Sequence, residues 1–471
     1  MKKVILLPGK FSILGVSMDN LGHRFIQKLY SFDPNSNALI TEEKTYTYGD
    51  LLLSMQDFEK KLSSIPKGSC IGILGDFSLE NIALFLACVQ SQMILIPLSQ
   101  DPTLPMKLQE GQVDYICQNH IFQAQNPSGK HPLILNLKAS HSSGLILFSS
   151  GSTGKPKAIL HHLDNLLAPY LSKKPKSICM LLFLLFDHIG GINTMLQSLA
   201  IGGCAFIPKD RKNVDGIAQA ICEYQISILP ASPSFLNLFL LNQCHKKYDL
   251  SSLKLITYGT EIMPDSLLKR LKIALPKVRF HQTFGASEIG ITQTKSKENF
   301  IALNDPNLEY KIINNELWLK SKTQTLGYLN ADNCVFQDGW FCTGDKVETM
   351  IENGEEYLKI IGRTQEIINV GGEKVFPQEI ENIITQIEGI QDCLVYGEPH
   401  ILTGQSISVA LVVDTHKLNP NDKLGLKKLI RDYCKNYLPN YKIPTKVVIQ
   451  EHLNMSERFK KIRLKTEGGG A

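Results

Sequence analysis

The 11 cysteines include no Cys-x-x-Cys pair. They occur singly, from Cys70 to Cys434, and their total is odd, which excludes a disulfide framework or a zinc ribbon and reads as separate thiols in a reducing compartment. Long apolar runs are also lacking. ICMLLFLLF at 178–186 falls far short of the roughly 20 residues a membrane helix needs, and the opening MKKVILLPGK is broken by Pro8 and Lys10 before it reaches the length of a signal-peptide core. Charge of one sign is missing too: 50 Lys and Arg against 45 Asp and Glu leave a formal +5, spread along the chain. That balance argues against nucleic acid or an anionic membrane as main partner. No internal repeat is visible. These absences point to a cytoplasmic protein with a small-molecule substrate and no integral membrane contact. Its 471 residues are enough for more than one domain, since single cores stop growing near roughly 250 to 300 residues.

A Walker A loop is a further absence, although SSGSTGKPK at 149–157 comes close. That loop needs Gly, four spacers and then Gly-Lys-Ser/Thr, because its last hydroxyl holds Mg²⁺ at a helix N-terminus. Here the first glycine position is Ser149, and Pro156, with neither hydroxyl nor N–H, follows Lys155. The stretch still suits a phosphate cradle of another design. Gly151 and Gly154 let the backbone turn its N–H groups inward, and the hydroxyls of Ser149, Ser150, Ser152 and Thr153 join the Lys157 ammonium as donors to phosphate oxygens.

Alternation of short apolar runs with helix-length periodic stretches dominates the first 300 residues. CIGILGDFSLENIALFLACVQSQMILIPLS at 70–99 reads strand, helix, strand, with a capped amphipathic stretch beginning at Ser78. GLILFSS, SILPASPSFLNLFLL and LKLITYGTEIMPDSLLKRLKIAL repeat the pattern, which predicts parallel sheets faced by helices. Between about 299 and 345 the texture changes to alternating segments such as KIINNELWLKSKTQTLGYL, with Asn-Asn and Asp-Gly turn signals, and predicts a small β-barrel-like lobe. After residue 362 the strand-like EIINV, the helix PQEIENIITQI, the strands DCLVYGE and ISVALVV and the basic helix KLGLKKLIRDYCKNYL predict a compact α+β domain. The final EGGGA reads as an unstructured tail.

TYTYGDL (45–51), SSGSTGKPKA (149–158), FDHIGGIN (186–193), YGTEIMP (258–264), QTFGASEIG (282–290), GWFCTGD (339–345), GRTQEIINVGGEKVFPQEIE (362–381) and FKKIR (459–463) occur in the order in which the adenylate-forming superfamily carries its motifs. The chain resembles that superfamily, which includes acyl- and aryl-CoA synthetases, peptide-synthetase adenylation domains and luciferases, and is most like a short acyl-CoA ligase. The resemblance implies an α/β fold: a large N-terminal domain of two α/β lobes with a small β-barrel lobe, then a small mobile α+β domain. It divides the chain into an AMP-binding domain at 1–362, a hinge at 363–366, a mobile domain at 367–466 and a tail at 467–471.

It also implies a site. The 149–157 loop would close over the β- and γ-phosphates of ATP, and Gly259, Thr260, Glu261, Gln282 and Thr283 would contact the nucleotide, with Phe284 stacked on adenine. Ser287, in place of the usual Thr, would touch the α-phosphate and Glu288 would bind Mg²⁺. Asp345 would accept both ribose hydroxyls and Arg363 would complete the ribose grip. Aligned on Arg463, FKKIR makes Lys460 the catalytic lysine, with Phe459 where glycine is usual. Lys461 is the competing choice. Gly371, Gly372 and Lys374 would receive CoA or the phosphopantetheine of an acyl carrier protein. FDHIGGIN reads in two ways. His188 is a gate residue if the chain is an acyl- or aryl-CoA ligase, whereas Asp187 is the partner of a substrate amine if it activates amino acids. The implied reaction is ATP-dependent conversion of a carboxylic acid to an acyl-adenylate with release of pyrophosphate, then transfer to the thiol of CoA. The alternatives are a stand-alone adenylation enzyme that loads a carrier protein and a catalytically silent homologue.

Overall fold

A computed structural model describes residues 22–127, 129–149, 155–456 and 459–463. Two seven-stranded sheets carry the larger part of the chain. In the first, the strands Tyr115–Gln118, Cys70–Leu74, Ile94–Leu98 and Gly144–Ser149 run parallel side by side, and the antiparallel Lys157–His162 extends the sheet. Cys70–Leu74 and Ile94–Leu98 are buried at every position, as expected for parallel strands covered on both faces. Between them lies the helix Leu79–Gln90, whose N-terminus is capped by Ser78 accepting from the Asn81 N–H, where the sequence placed it.

The second sheet runs Arg279–Gln282, Leu255–Tyr258, Ile228–Ala231, Cys179–Leu181, Cys204–Phe206 and Asn37–Ile40 in parallel, with Thr45–Thr47 antiparallel at its edge. The helices Tyr48–Leu62, Leu79–Gln90 and Ile189–Ala200 pack in one continuous core with residues of both sheets, among them Ile71, Leu95, Leu39 and Ala205. The two lobes therefore share a core and hold their strand ends in fixed relation.

The β-rich lobe begins slightly before the expected stretch and runs on to Arg363. It is a seven-stranded antiparallel sheet whose long members are Trp340–Glu352 and Glu355–Arg363. Its hairpins turn where the sequence signals: Asn314 and Asn315 at φ 52° and 60°, Asp338 and Gly339 at 50° and 80°. Positive φ at both central residues is the type I′ geometry that follows the twist of a hairpin.

After Arg363 a five-stranded sheet, built on the Ile390–His400 and Gly404–Val413 hairpin, packs against the helices Pro377–Ile384 and Lys423–Lys435. Ile368, Val375, Ile380, Val395, Val409, Leu411 and Ile430 give it a core of its own. All 11 cysteines are free thiols. Among the described residues no helix is long and apolar enough to cross a membrane.

Candidate active site

Ligands of open α/β sheets bind beyond the carboxyl ends of the strands, and that is where the second sheet leaves space. A cavity of about 600 Å³ opens past Ala231, Tyr258 and Gln282, and is bordered by the β-rich lobe and one face of the C-terminal domain. Of the residues expected at the site, Ser149, Lys157, His188, Gly259, Thr260, Glu261, Gln282, Thr283, Phe284, Ser287, Glu288, Asp345, Arg363 and Lys460 line it.

Gly259 and Thr260 follow a strand directly into this space. A Cβ on Gly259 would stand 2.7 Å from Thr283 Oγ1, and Thr283 N–H donates to the Tyr258 carbonyl at 2.8 Å, so the two loops pass too closely for any side chain at 259. Tyr258 itself stays in the core, its hydroxyl donating to the Glu298 carbonyl at 3.1 Å. Glu261 is engaged at both oxygens, by the N–H of Lys461 at 2.9 Å and of Ser234 at 3.2 Å. Phe284 touches the cavity, with its ring mostly buried among Ile289, Leu319 and Phe341.

Ser287 and Glu288 occupy the turn of a tight hairpin between Phe284–Ala286 and Gly290–Thr292. Two residues that the motifs did not single out hold it. His161 Nε2 donates to the Ser287 carbonyl at 2.6 Å, and burial lowers the His161 pKa to about 4, so the ring is neutral at pH 7. Tyr328 donates its hydroxyl to Glu288 Oε1 at 2.8 Å, and burial, then the neighbouring carboxylate, raises its pKa. The Lys157 ammonium lies 5.0 Å over the Tyr328 ring. Ser149 and Lys157 are paired at the open end of their two strands, so they frame the loop between them. Ser150, Gly151, Ser152, Thr153 and Gly154 of that loop lie outside the described residues.

Asp345 and Arg363 form an ion pair at 2.9 Å, Nε to Oδ1. Burial raises the Asp345 pKa and Arg363 acts against it. Thr364–Glu366, within the expected hinge, is a short 3₁₀ turn, and Gln365 borders the cavity.

The two lysines of FKKIR differ in their surroundings. Lys461 Nζ lies 2.5 Å from Asp392 Oδ1 and donates to the Cys393 carbonyl at 3.0 Å. Burial would lower its pKa, but Asp392 and Glu381 outweigh that and hold it well above the usual lysine range. Arg463 is bound to Glu381, Gln378 and the Val395 carbonyl. Lys460 borders the cavity beside them. Gly371, Gly372 and Lys374 are not brought there: they sit in an exposed hairpin turn, with φ of 60° and 92° at the glycines.

At the end of the cavity where the sequence expected the acid, His188 caps the helix Ile189–Ala200 through Nδ1, which accepts from the Gly190 N–H at 3.0 Å. A Cβ on Gly191 would come within 2.1 Å of the Leu185 carbonyl, so that glycine lets the chain approach the helix start. Asp187 turns elsewhere, accepting from Ser99 Oγ at 2.9 Å, and does not border the cavity. Leu184, Asn193, Thr194, Ala231 and Ile291 complete this end. Tyr170 donates to Asn193 Oδ1 at 2.6 Å and so fixes the amide.

Comparison with known proteins follows the same division. The family model of AMP-binding enzymes matches residues 122–329, and that of the AMP-binding enzyme C-terminal domain matches 379–460. A 2-succinylbenzoate–CoA ligase of Listeria monocytogenes is 26% identical over 462 residues, covering 91% of this chain and 95% of that protein. An indoleacetate–CoA ligase of Aromatoleum aromaticum is 24% identical over 496 residues, covering 91% and 94%. In fold, the chain is similar to the o-succinylbenzoate CoA synthetase of Bacillus subtilis in complex with its acyl-adenylate, with a TM-score of 0.74 at 20% identity over 95% of this chain and 98% of that one. An anthranilate CoA ligase in complex with anthranoyl-AMP gives 0.75 at 18% identity, over 95% and 97%. Both segments of one family are matched in order, across two domains that meet at a single cavity, and the chain therefore belongs to the AMP-binding, adenylate-forming enzymes.

Proposed function

We propose that this cavity is the site of an AMP-forming acid–thiol ligase acting on a carboxylic acid without an α-amine. The observation that carries the reading is the convergence of Glu288, the Asp345–Arg363 pair and Lys460 on one cavity, with His188 at its acid end and Asp187 turned away. A substrate carboxylate oxygen attacks the α-phosphorus of ATP, the bond to the bridging oxygen breaks, and pyrophosphate leaves. The product is a mixed anhydride, acyl-AMP. A thiol sulfur then attacks the acyl carbon, its proton is lost, and AMP departs.

Each side chain has a task in that sequence. Asp345, held by Arg363, accepts from the ribose hydroxyls. Ser287 donates to the α-phosphate from a turn that His161 anchors. Lys460 places a cation between the carboxylate and the α-phosphate, whose mutual repulsion otherwise opposes attack. Glu288 suits Mg²⁺, because Tyr328 holds one of its oxygens and leaves the other for a hard cation that completes its shell with phosphate and water oxygens. Held there, Mg²⁺ would supply screening of phosphate charge. Among the described residues no three His, Cys, Asp or Glu side chains cluster as an all-protein metal site.

Gly371, Gly372 and Lys374 face solvent in this arrangement, so thiol transfer requires the domain after 363–366 to turn and bring their hairpin to the cavity. The relatives named above act on 2-succinylbenzoate and indoleacetate, both acids with an aromatic ring and no α-amine, which supports an aryl-bearing acid here. CoA is the proposed acceptor, and a carrier-protein phosphopantetheine offers the same thiol arm. The free cysteines agree with a cytoplasmic setting. A pyrophosphate-exchange screen across aryl, fatty, dicarboxylic and amino acids, then thiol capture with CoA and with carrier protein, tests the proposal. Absence of exchange with every acid would overturn it.

A further inference from the structure

Phe459 has a backbone conformation suited to glycine and a side chain that glycine lacks. Its φ is +51°, in the left-handed region where a Cβ is disfavoured, and the resemblance places glycine at this position. The ring is nonetheless only 6% exposed, packed with Phe183 at 5.2 Å and edge-on to Phe235 at 5.5 Å between centroids. Both partners belong to the core of the second α/β sheet. A segment near the end of the C-terminal domain thus inserts an aromatic anchor into the N-terminal domain.

The backbone on either side is tied to the same place. The Phe459 carbonyl accepts from Ser232 Oγ at 2.9 Å. That serine is fully buried and caps the helix Pro233–Leu241, accepting from the Phe235 N–H at 3.2 Å. Two residues on, Lys461 N–H donates to Glu261, which also accepts from Ser234 N–H. Within the segment, Phe459 N–H donates to the Ser456 carbonyl and Ser456 N–H to the Lys460 carbonyl, each at 2.9 Å. Lys460 is therefore flanked by two residues fastened to the N-terminal domain, and its position follows from theirs.

We infer that Phe459 is a positioning residue: its buried ring seats the C-terminal segment on the N-terminal domain, sets Lys460 at the cavity and favours the adenylating arrangement of the two domains. A glycine at 459 would relieve the backbone but leave the segment without this anchor. In the kinetic sense the inference rests on the proposed acid-activating reaction. Its structural sense does not.

The test therefore has two arms. In the first, full-length Phe459→Gly, Phe459→Ala and Phe459→Leu are assayed for adenylate formation and, separately, for thioester formation from supplied acyl-adenylate. Loss of the anchor displaces Lys460, so Gly and Ala are expected to slow adenylation on the order of 10- to 100-fold. Thioester formation should be unchanged or faster, and Leu, which keeps an apolar plug, should recover most of the adenylation rate. In the second arm, proteolysis across 363–366 without substrate should be faster for Gly and Ala than for the parent chain. Adenylation by Phe459→Gly at the parent rate, or equal loss of both half-reactions, overturns the inference, as does unchanged proteolysis. A parent chain that adenylates no acid while the proteolysis difference persists instead overturns the proposed reaction and leaves the anchor supported.

Discussion

Asp345 and Arg363 stand directly opposite each other on adjacent antiparallel strands, with Arg363 Nε 2.9 Å from Asp345 Oδ1. A hairpin that reverses at Asn353 and Gly354 brings them together. The carboxylate is buried and its pKa raised, so its ionised form is held at some expense of stability.

Asp345→Asn should consequently separate stability from function. A raised carboxyl pKa favours the protonated native form, so ionised Asp345 weakens the fold above the folded pKa and stops doing so once protonated. The variant should be at least as stable as the parent at pH 7, and the two should converge as pH falls towards the ordinary carboxylate range. One acceptor oxygen is lost and the other becomes neutral, and a hydrogen bond to a charged group is worth roughly 1.5 to 3 kcal/mol, so KM for ATP should rise on the order of 10- to 100-fold. Urea titrations from pH 4 to 7 and initial rates check both effects. A variant that unfolds at pH 7 would mark Asp345 as structural.

Lys460 and Lys461 should fail in different ways. Lys461 also borders the cavity but is half-buried and bound to the buried Asp392, and removing one partner of such a pair costs up to about 3 to 5 kcal/mol. Lys461→Ala is expected to lower stability and affect both half-reactions. Lys460→Ala should leave stability intact and slow adenylation on the order of 10² to 10³-fold, the scale of one lost transition-state charge partner, while still converting supplied acyl-adenylate to thioester. The opposite pattern would move the catalytic role to Lys461.

His161 predicts an acid sensitivity whose sign follows from its environment. Its pKa is about 4 in the folded chain against about 6.5 for an unperturbed histidine, so between those values the unfolded chain binds a proton that the native one does not. Stability attributable to this group is complete above about pH 6.5 and declines as pH falls towards 4. The decline is at most about 3 kcal/mol at 1.36 kcal/mol per unit. His161→Gln, whose amide can still donate to the Ser287 carbonyl, should flatten the stability profile over that interval. An unchanged slope would assign the acid sensitivity to other groups.

The parts of the molecule written locally in the chain were legible in it. Ser78 caps its helix and the Asn-Asn and Asp-Gly turns reverse their strands, because each depends on neighbours a few residues away, and the apolar runs at 70–74 and 94–98 pair as parallel strands across the helix the pattern placed between them. The residues expected to face nucleotide sit in short motifs at strand ends, and the fold brings most of them to one cavity. Tyr328 and His161 were not, because their partners Glu288 and Ser287 lie 40 and 126 residues off and only packing brings them together. Glu261 lines the cavity as expected, but that both its oxygens accept from backbone amides was not legible, because Ser234 and Lys461 are distant in sequence. Phe459 was visible as a departure from glycine, but its destination between Phe183 and Phe235 is a property of the folded chain.

The substrate class turns on two adjacent residues that face different neighbourhoods. Asp187 is buried and accepts from Ser99 Oγ, which also donates to Asp101, itself paired with Lys107 at 2.6 Å. That network lies away from the cavity. His188 borders the cavity next to Leu184 and Ile189. An ammonium drawn out of water at this end would need a carboxylate within reach, and the nearest candidate in sequence is already engaged elsewhere. An apolar or aryl acid asks for no such partner, and the Asn193 amide, held by Tyr170, suits an acceptor group farther along its tail. His188→Ala should therefore change KM among aryl and fatty acids by roughly 10-fold or more, the scale of reshaping one hydrophobic pocket contact. Asp187→Ala should act through stability and leave the order of acid preference unchanged. Both are read by pyrophosphate exchange over the same panel of acids. Exchange driven only by amino acids, lost in Asp187→Ala and kept in His188→Ala, would require the loop at 184–188 to rearrange and would replace the proposed acid with an amino acid.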